Sequence, residues 1–315
     1  MKKIIVTGAT GQIGSELILE LRKKYGNDNV VAVGHSKTMP EDLTAGPCEM
    51  ADVTNKNAVE ELIDKYQPDT IFHLVGILSA SGEKNPELAW KVNMNGLRNV
   101  LETAREKGIK KIFWPSSIAA FGPTTPKDNT PQHTVLEPTT IYGTTKVAGE
   151  LLCQYYCKKY GMDIRSLRYP GIISYKTEPG GGTTGYASAI HFEAIKNKKY
   201  DCCLKPETIL PMMYMPDAVQ ATIKLMEAPE ENIKIKTSYN LSSLSFAPKD
   251  LVEIIKSHIP EFTCTYSPDE RQQIADSWPN SIDDSAARED WDWQHEFDLE
   301  KMTEDMLRNI KELKM

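Results

Sequence analysis

Tyr142 and Lys146 stand four residues apart in Tyr142-Gly143-Thr144-Thr145-Lys146. On a helix this spacing puts both side chains on one face, one turn apart. A free phenol, with a pKa near ~10, is a weak base at neutral pH; a fixed ammonium group beside it stabilises the phenolate and brings it towards the working range. Ser117, in Pro115-Ser116-Ser117-Ile118-Ala119, sits at a predicted strand end, where its hydroxyl can hold a substrate hydroxyl towards the tyrosine. The three types together suit oxidation of an alcohol. A tyrosine and a lysine at this spacing also fall on many amphipathic helices by chance, so the assignment depends on the elements that would position them.

Those elements begin at the N-terminus. The β-branched run Lys3-Ile4-Ile5-Val6 leads into Gly8-Ala9-Thr10-Gly11-Gln12-Ile13-Gly14, and Ile13, Leu17 and Leu21 then recur at helical spacing. Strand, glycine loop and helix in this order make a dinucleotide cradle. Gly8 permits the turn, Gly11 lets the backbone approach a pyrophosphate, Gly14 allows close packing of the helix, and the helix N-terminus offers N–H groups to the phosphates. Val30-Val31-Ala32-Val33 follows at the distance expected of the second strand. Its end reads Gly34-His35-Ser36-Lys37, without the acidic residue that usually accepts the adenosine ribose hydroxyls. His35, Ser36 and Lys37 are therefore candidate partners for the adenosine end, and a 2'-phosphate would meet no carboxylate there.

Further along, Asp52 and Val53 are placed at a strand end near the adenine, and a helix is predicted over Lys56 to Tyr66. The strand Thr70 to Leu74 runs out through Leu74-Val75-Gly76 at the carboxyl edge of a parallel sheet, where ligands bind in such folds. His73, alone in an apolar strand, reads as packed and satisfied. A helix around Leu88 to Lys107 carries Asn93, and the strand Lys111 to Trp114 leads to the serine pair. The helix from Tyr142 to about Lys159 and the strand Asp163 to Leu167 complete the alternation, followed by Arg168-Tyr169-Pro170-Gly171. Alternating strands and helices predict an α/β fold, a Rossmann-type doubly wound parallel sheet with right-handed crossovers. The dinucleotide-binding domain is expected over 1–170. Residues 171–315 are expected to form mainly a smaller C-terminal substrate-binding lobe, with segments able to return to the Rossmann sheet. Within that lobe Pro179-Gly180-Gly181-Gly182-Thr183-Thr184-Gly185 reads as a ligand-wrapping loop or a plain linker. The segments 210–215 and 278–293, rich in methionine and aromatic residues, read as core.

Composition bounds the rest. The net charge of −7 is spread along 315 residues with no basic stripe, which argues against nucleic acid. No apolar run approaches the ~20 residues that span a bilayer, and Met1-Lys2-Lys3 leads straight into the first strand without a signal-peptide pattern. A cytoplasmic protein with no membrane contact is expected. The six cysteines (Cys48, Cys153, Cys157, Cys202, Cys203 and Cys264) lack zinc-like spacing and read as reduced, mostly packed thiols.

With these residues assembled, the chain resembles the extended short-chain dehydrogenase/reductase family, the group related to sugar-nucleotide epimerases, over nearly its whole length. Five segments are similar to the short-chain type of L-threonine 3-dehydrogenases: 113–119, 168–174, 179–184, 210–214 and Asp276-Ser277-Trp278-Pro279-Asn280-Ser281-Ile282-Asp283-Asp284-Ser285. The resemblance implies NAD-dependent oxidation of the L-threonine β-hydroxyl to 2-amino-3-oxobutyrate, NADP being the less expected cofactor, and implies no metal. It makes Tyr142 the general base, Lys146 its electrostatic partner and a holder of the nicotinamide ribose, and Ser117 the orienting group. It puts Ser79, Thr183, Thr184 and Gly185, along with Ser117 and Tyr142, at the amino acid. It puts Gly8, Thr10, Gly11, Gln12, Ile13, Gly14, His35, Ser36, Asp52, Val53, Leu74, Val75, Gly76, Tyr169 and Ile172 at the cofactor. The family also implies a homodimer built on the helix that starts at Tyr142, with Leu151, Leu152, Tyr155 and Tyr156 as apolar surface. Two positions depart from the family pattern: the missing acid at His35, and Gly185, which stands where aspartate is usual.

Two rival readings share these residues. A sugar-nucleotide epimerase or dehydratase would use the same tyrosine and lysine, but dehydratases of this family carry an acid pair after the serine position, whereas here Ile118-Ala119-Ala120 follows. A cofactor-binding protein with little turnover would not need Ser117, Tyr142 and Lys146 together.

Overall fold

The computed structural model describes residues 1–36, 38–177 and 182–313. The chain forms two compact units, one of Met1–Ala120, Thr140–Arg168 and Val219–Tyr239, the other of Phe121–Thr139, Tyr169–Ala218 and Asn240–Met315.

The first unit is built on a parallel six-stranded sheet. Its strands are β1 (Ile4–Thr7), β2 (Val30–Gly34), β3 (Cys48–Met50), β4 (Thr70–His73), β5 (Lys111–Phe113) and, after the two-residue strand β6 (Ser116–Ser117), β7 (Asp163–Arg165). The spatial order is β3-β2-β1-β4-β5-β7, so the order reverses between β1 and β4, the switch point at which nucleotides bind in doubly wound sheets. Ile4 pairs with Val30 on one side and Thr70 on the other. All of β1, β2 and β4 is buried, as expected of strands covered on both faces by helices. Helices of this unit include α1 (Gln12–Tyr25), α2 (Lys56–Tyr66), α3 (Ser79–Lys84), α4 (Pro86–Trp90), α5 (Gly96–Glu106) and α6 (Ile141–Tyr160). Asn55 caps α2 by accepting from the Asn57 N–H, and Thr140 caps α6 by accepting from the Gly143 N–H.

Three sequence expectations change in detail. The predicted helix around Leu88 to Lys107 is α4 and α5 joined by a π-helical segment, Lys91–Asn95. The strand predicted through Trp114 ends at Phe113, because Pro115 has no N–H to give to a ladder. Asp163 to Leu167 is likewise two strands. β7 stays in the central sheet, while β8 (Leu167–Tyr169) joins β6 and Tyr239–Asn240 in a separate three-stranded sheet. The chain changes sheets at Ser166, whose carbonyl accepts from the Tyr239 N–H and whose hydroxyl bonds that of Ser238.

In the second unit, the strands Gly171–Ile173, Leu210–Tyr214 and Leu244–Phe246 make a mixed sheet, and Lys199–Cys202 pairs in parallel with Thr263–Tyr266. Met212, Met213, Met215 and Trp293 are core residues, as the sequence suggests.

Candidate active site

The glycine loop after β1 has the shape its residues require. Gly8 adopts φ +77°, a left-handed conformation open to glycine, and a Cβ there would lie 2.9 Å from the Leu74 carbonyl carbon and 3.0 Å from the Val75 nitrogen. The loop and the exit of β4 therefore pack backbone against backbone at Leu74 and Val75. Gly11 donates its N–H to the Gly8 carbonyl (3.0 Å) and ends the loop as the N-cap of α1, where glycine offers no capping side chain. At Gly14 a Cβ would fall 2.2 Å from the Gly8 carbonyl oxygen. These are the contacts a pyrophosphate cradle needs, so the residues present fit a dinucleotide.

At the end of β2 the tertiary structure brings in a carboxylate that the local sequence lacks. The turn after β3 brings the Asp52 carboxylate to 4.0 Å from His35 Nε2, both groups exposed. Burial pushes the Asp52 carboxyl up, but the Thr54 N–H (2.8 Å) and hydroxyl, with His35 and Lys91, outweigh it and hold the group below the ordinary value. A carboxylate thus stands beside His35 from the turn after the neighbouring strand. Val53 differs from its neighbour: its side chain is in the core against Gly96, and its carbonyl accepts from Asn99 Nδ2 (3.0 Å). Thr10 packs towards Gly34, and Lys37 lies outside the described residues.

Tyr142, Lys146 and Ser117 come together in the first unit. The Lys146 ammonium donates to the Pro115 carbonyl (2.6 Å) and lies 4.5 Å from the Trp114 ring centroid and 5.3 Å from that of Tyr142. The indole reaches α6 because residue 149 is glycine; a Cβ there would be 2.3 Å from Trp114 Cη2. Burial pushes the Tyr142 phenol up to about 12, while a hydrogen bond with the Ser117 hydroxyl acts the other way. Burial also pushes Lys146 down to about 7, against the opposing pull of Cys153 and Glu150. The sequence reading has Lys146 drawing the phenol down. With the protein's own groups alone, desolvation outweighs that attraction and favours the neutral form of both. His73, at the end of β4, accepts or donates at Nδ1 with Thr7 Oγ1 (2.8 Å), and its Nε2 is buried with no partner. The histidine is therefore only half satisfied. Burial, and then Lys146, push it down to about 3, so it is neutral at physiological pH.

Asn93 is a site residue to which sequence reasoning gave no role. In the π-helical segment its Oδ1 accepts from the Ile77 N–H (2.7 Å), and its Nδ2 donates to the Ile77 carbonyl (3.1 Å) and to Thr145 Oγ1 (3.1 Å). It ties the chain after Gly76 to the helix of Tyr142. Its signal in the sequence is weak: a single buried amide in a helix has no local pattern. Ser79, the first residue of α3, is buried in the same unit.

Tyr169, Ile172, Thr183, Thr184 and Gly185 belong to the second unit. Thr183–Gly185 is a 3-10 turn leading into α7 (Tyr186–Lys196). It packs on the strand Gly171–Ile173, where a Cβ at Gly171 would lie 2.7 Å from Thr184 Cβ. The Thr183 hydroxyl is buried without a partner. Residues 179–181 of the glycine-rich loop lie outside the described residues.

Comparison with known proteins follows from this geometry. The model of the NAD dependent epimerase/dehydratase family matches residues 4–242. An uncharacterized epimerase/dehydratase of Staphylococcus haemolyticus is 50% identical over 316 residues, covering 99% of this chain and 98% of that protein. Among solved structures, L-threonine dehydrogenase from Clostridium difficile is 50% identical with a TM-score of 0.97, covering 99% of this chain and 98% of that one. The holo form of a GalE-like L-threonine dehydrogenase from Cupriavidus necator is 48% identical with a TM-score of 0.96, covering 98% and 99%. A monomeric L-threonine 3-dehydrogenase from a metagenome, in its apo form, is 48% identical with a TM-score of 0.95, covering 99% and 100%.

Proposed function

The chain belongs to the NAD dependent epimerase/dehydratase family, and on that premise we propose that it is an NAD-dependent L-threonine 3-dehydrogenase. Its likeness to solved L-threonine dehydrogenases, near half identity over both whole chains, carries the choice of substrate. The glycine loop from Gly8 to Gly14 would hold the pyrophosphate, His35, Ser36 and Asp52 the adenosine end, and Leu74 to Gly76, Lys146, Tyr169 and Ile172 the rest. Bound NAD supplies the hydride acceptor for the carbinol carbon. Ser117 orients the threonine β-hydroxyl, and Tyr142 takes its proton as the carbonyl of 2-amino-3-oxobutyrate forms. Lys146, fixed by Pro115 and Trp114, provides the positive charge against which the phenolate develops. Ser79, Thr183, Thr184 and Gly185 are assigned to the amino acid.

NADH formation measured with NAD against a panel of β-hydroxy amino acids and sugar nucleotides tests the reading. Steady NADH release with L-threonine is expected. Tightly retained cofactor, with turnover of a sugar nucleotide alone, would move the chain to the epimerases.

Gly185 tests the amino-acid side. It is the third residue of a helical run that starts after the extended Gly182, with φ −60°, so the backbone does not require glycine. Aspartate at this place suits the helix N-terminus and can meet the substrate ammonium, a charge-assisted contact of about 1.5–3 kcal/mol. Gly185→Asp is expected to raise kcat/KM for L-threonine about tenfold, equivalent to ~1.4 kcal/mol. Steady-state kinetics at saturating NAD check it, and an unchanged or lower value rejects the role.

The reading includes a homodimer and a cytoplasmic location. Leu151 (56%) and Tyr155 (46%) on α6 are exposed and available for self-association, whereas Tyr156 (3%) and most of Leu152 pack into the core, contrary to the sequence expectation for those two. Sedimentation at micromolar concentration is expected to give a dimer; a monomer would reject it. Six free thiols suit a reducing compartment. No helix among the described residues is long and apolar enough to cross a membrane.

A further inference from the structure

A buried ion pair, Glu150 with Arg168, stands outside the proton-transfer groups of α6. Glu150 lies one helical turn beyond Lys146 and two beyond Tyr142, on the same face of α6. Its Oε1 accepts from Ser116 Oγ (2.6 Å) and from Arg168 Nε (2.9 Å), and its Oε2 accepts from an Arg168 terminal nitrogen (2.7 Å). Ser116, Glu150 and Arg168 are each at least 97% buried. The pair joins three elements: α6, β6 and β8, the last two neighbours in one small sheet.

Stability alone does not account for such a pair. Removing two charges from water costs several kcal/mol per ion, and well-packed apolar residues of the same volume often stabilise a fold as well or better. What the ion pair adds is direction, because a carboxylate and a guanidinium meet in a fixed planar fork. Direction is needed at β6. That strand is only two residues long and follows Pro115, which gives no N–H to a ladder, so its own pairing restrains Ser117 weakly. Ser116 is the residue next to Ser117, and the Pro115 carbonyl before it holds Lys146. A misplacement of about 1 Å at a reacting centre can cost ~100-fold in rate.

We infer that Glu150 is a positioning residue of the proton-transfer site: through Ser116 and Arg168 it fastens the short strand that carries Ser117 to the helix that carries Tyr142 and Lys146. The inference rests on the proposed function in that Ser117 and Tyr142 act on a substrate hydroxyl.

Two variants test it. Glu150→Gln keeps an acceptor for Ser116 but leaves the Arg168 charge buried and unmatched, so it can fail to fold. Ser116→Ala removes one hydrogen bond, leaves the ion pair and is expected to fold. Hydrogen–deuterium exchange of the NAD-saturated protein should show lost protection over residues 114–121 in Ser116→Ala, with α6 unchanged. Its kcat should fall about tenfold, while KM for L-threonine and Kd for NADH stay within twofold; a purely structural role would not produce this split. Wild-type exchange over 114–121, or kcat within twofold of wild type, overturns the inference. Should the wild-type protein oxidise a different alcohol, the substrate reading fails, and the same kcat ratio with that alcohol still decides on Glu150. Should it turn over no alcohol, the exchange result decides.

Discussion

Tyr142→Phe is expected to lower kcat for L-threonine oxidation by ~10²–10⁴-fold, the usual cost of losing a general base, while NADH binding stays within about twofold. The ring is buried and packs under Lys146, and phenylalanine keeps those contacts. Only the oxygen that receives the proton is lost. The pH dependence gives a second readout. Burial pushes the phenol up to about 12 and the ammonium of Lys146 down to about 7, driving apart two equilibria that are ordinarily close, and because the groups lie side by side the proton that is lost belongs to the pair. Since the active form needs the phenolate, kcat/KM of the wild type should rise with pH until the pair loses its proton and then level. In Tyr142→Phe the rise should vanish along with the rate. Full activity in this variant, or an unchanged pH profile, would remove Tyr142 from the mechanism.

Gly14→Val should act on the cofactor instead. A Cβ at this position would sit 2.2 Å from the Gly8 carbonyl oxygen and 3.0 Å from its carbon, both backbone atoms that no rotamer change can move aside. Either the first turn of α1 separates from the loop or the loop opens, and both misplace the N–H groups that face a pyrophosphate. Overpacking of this kind costs about 1–3 kcal/mol of stability and sometimes more. A loss of roughly 2–3 kcal/mol of binding corresponds to ~30–150-fold weaker NAD affinity. Titration of NADH fluorescence and thermal melting of Gly14→Val beside the wild type would check this. Wild-type affinity in Gly14→Val would mean that the loop does not hold the cofactor.

The sequence by itself determined the features governed by local geometry. Three glycines between an apolar strand and a helix state where the backbone must turn and approach, and Gly8 at φ +77° fulfils that requirement. A tyrosine and a lysine four apart share a face on any helix, and buried parallel strands show as continuous β-branched runs, so the central sheet was legible as well. The ends of β5 and β7 were less so. Pro115 announces a break on inspection, but Ser166 changes sheets only because the Ser238–Tyr239 backbone lies beside it. Tertiary structure alone decided the contacts between residues far apart in sequence. Asp52 supplies a carboxylate beside His35 because β3 neighbours β2, and Asn93 clamps Ile77 because a π-helical segment turns its amide inward. Glu150 meets Ser116 and Arg168 across three elements. The ionisation of Tyr142 and Lys146 also belongs to this class. Residue types and spacing predict mutual stabilisation of their charges, but how far water is excluded from both depends on the packing of Trp114 against Gly149, and desolvation is set by that whole environment.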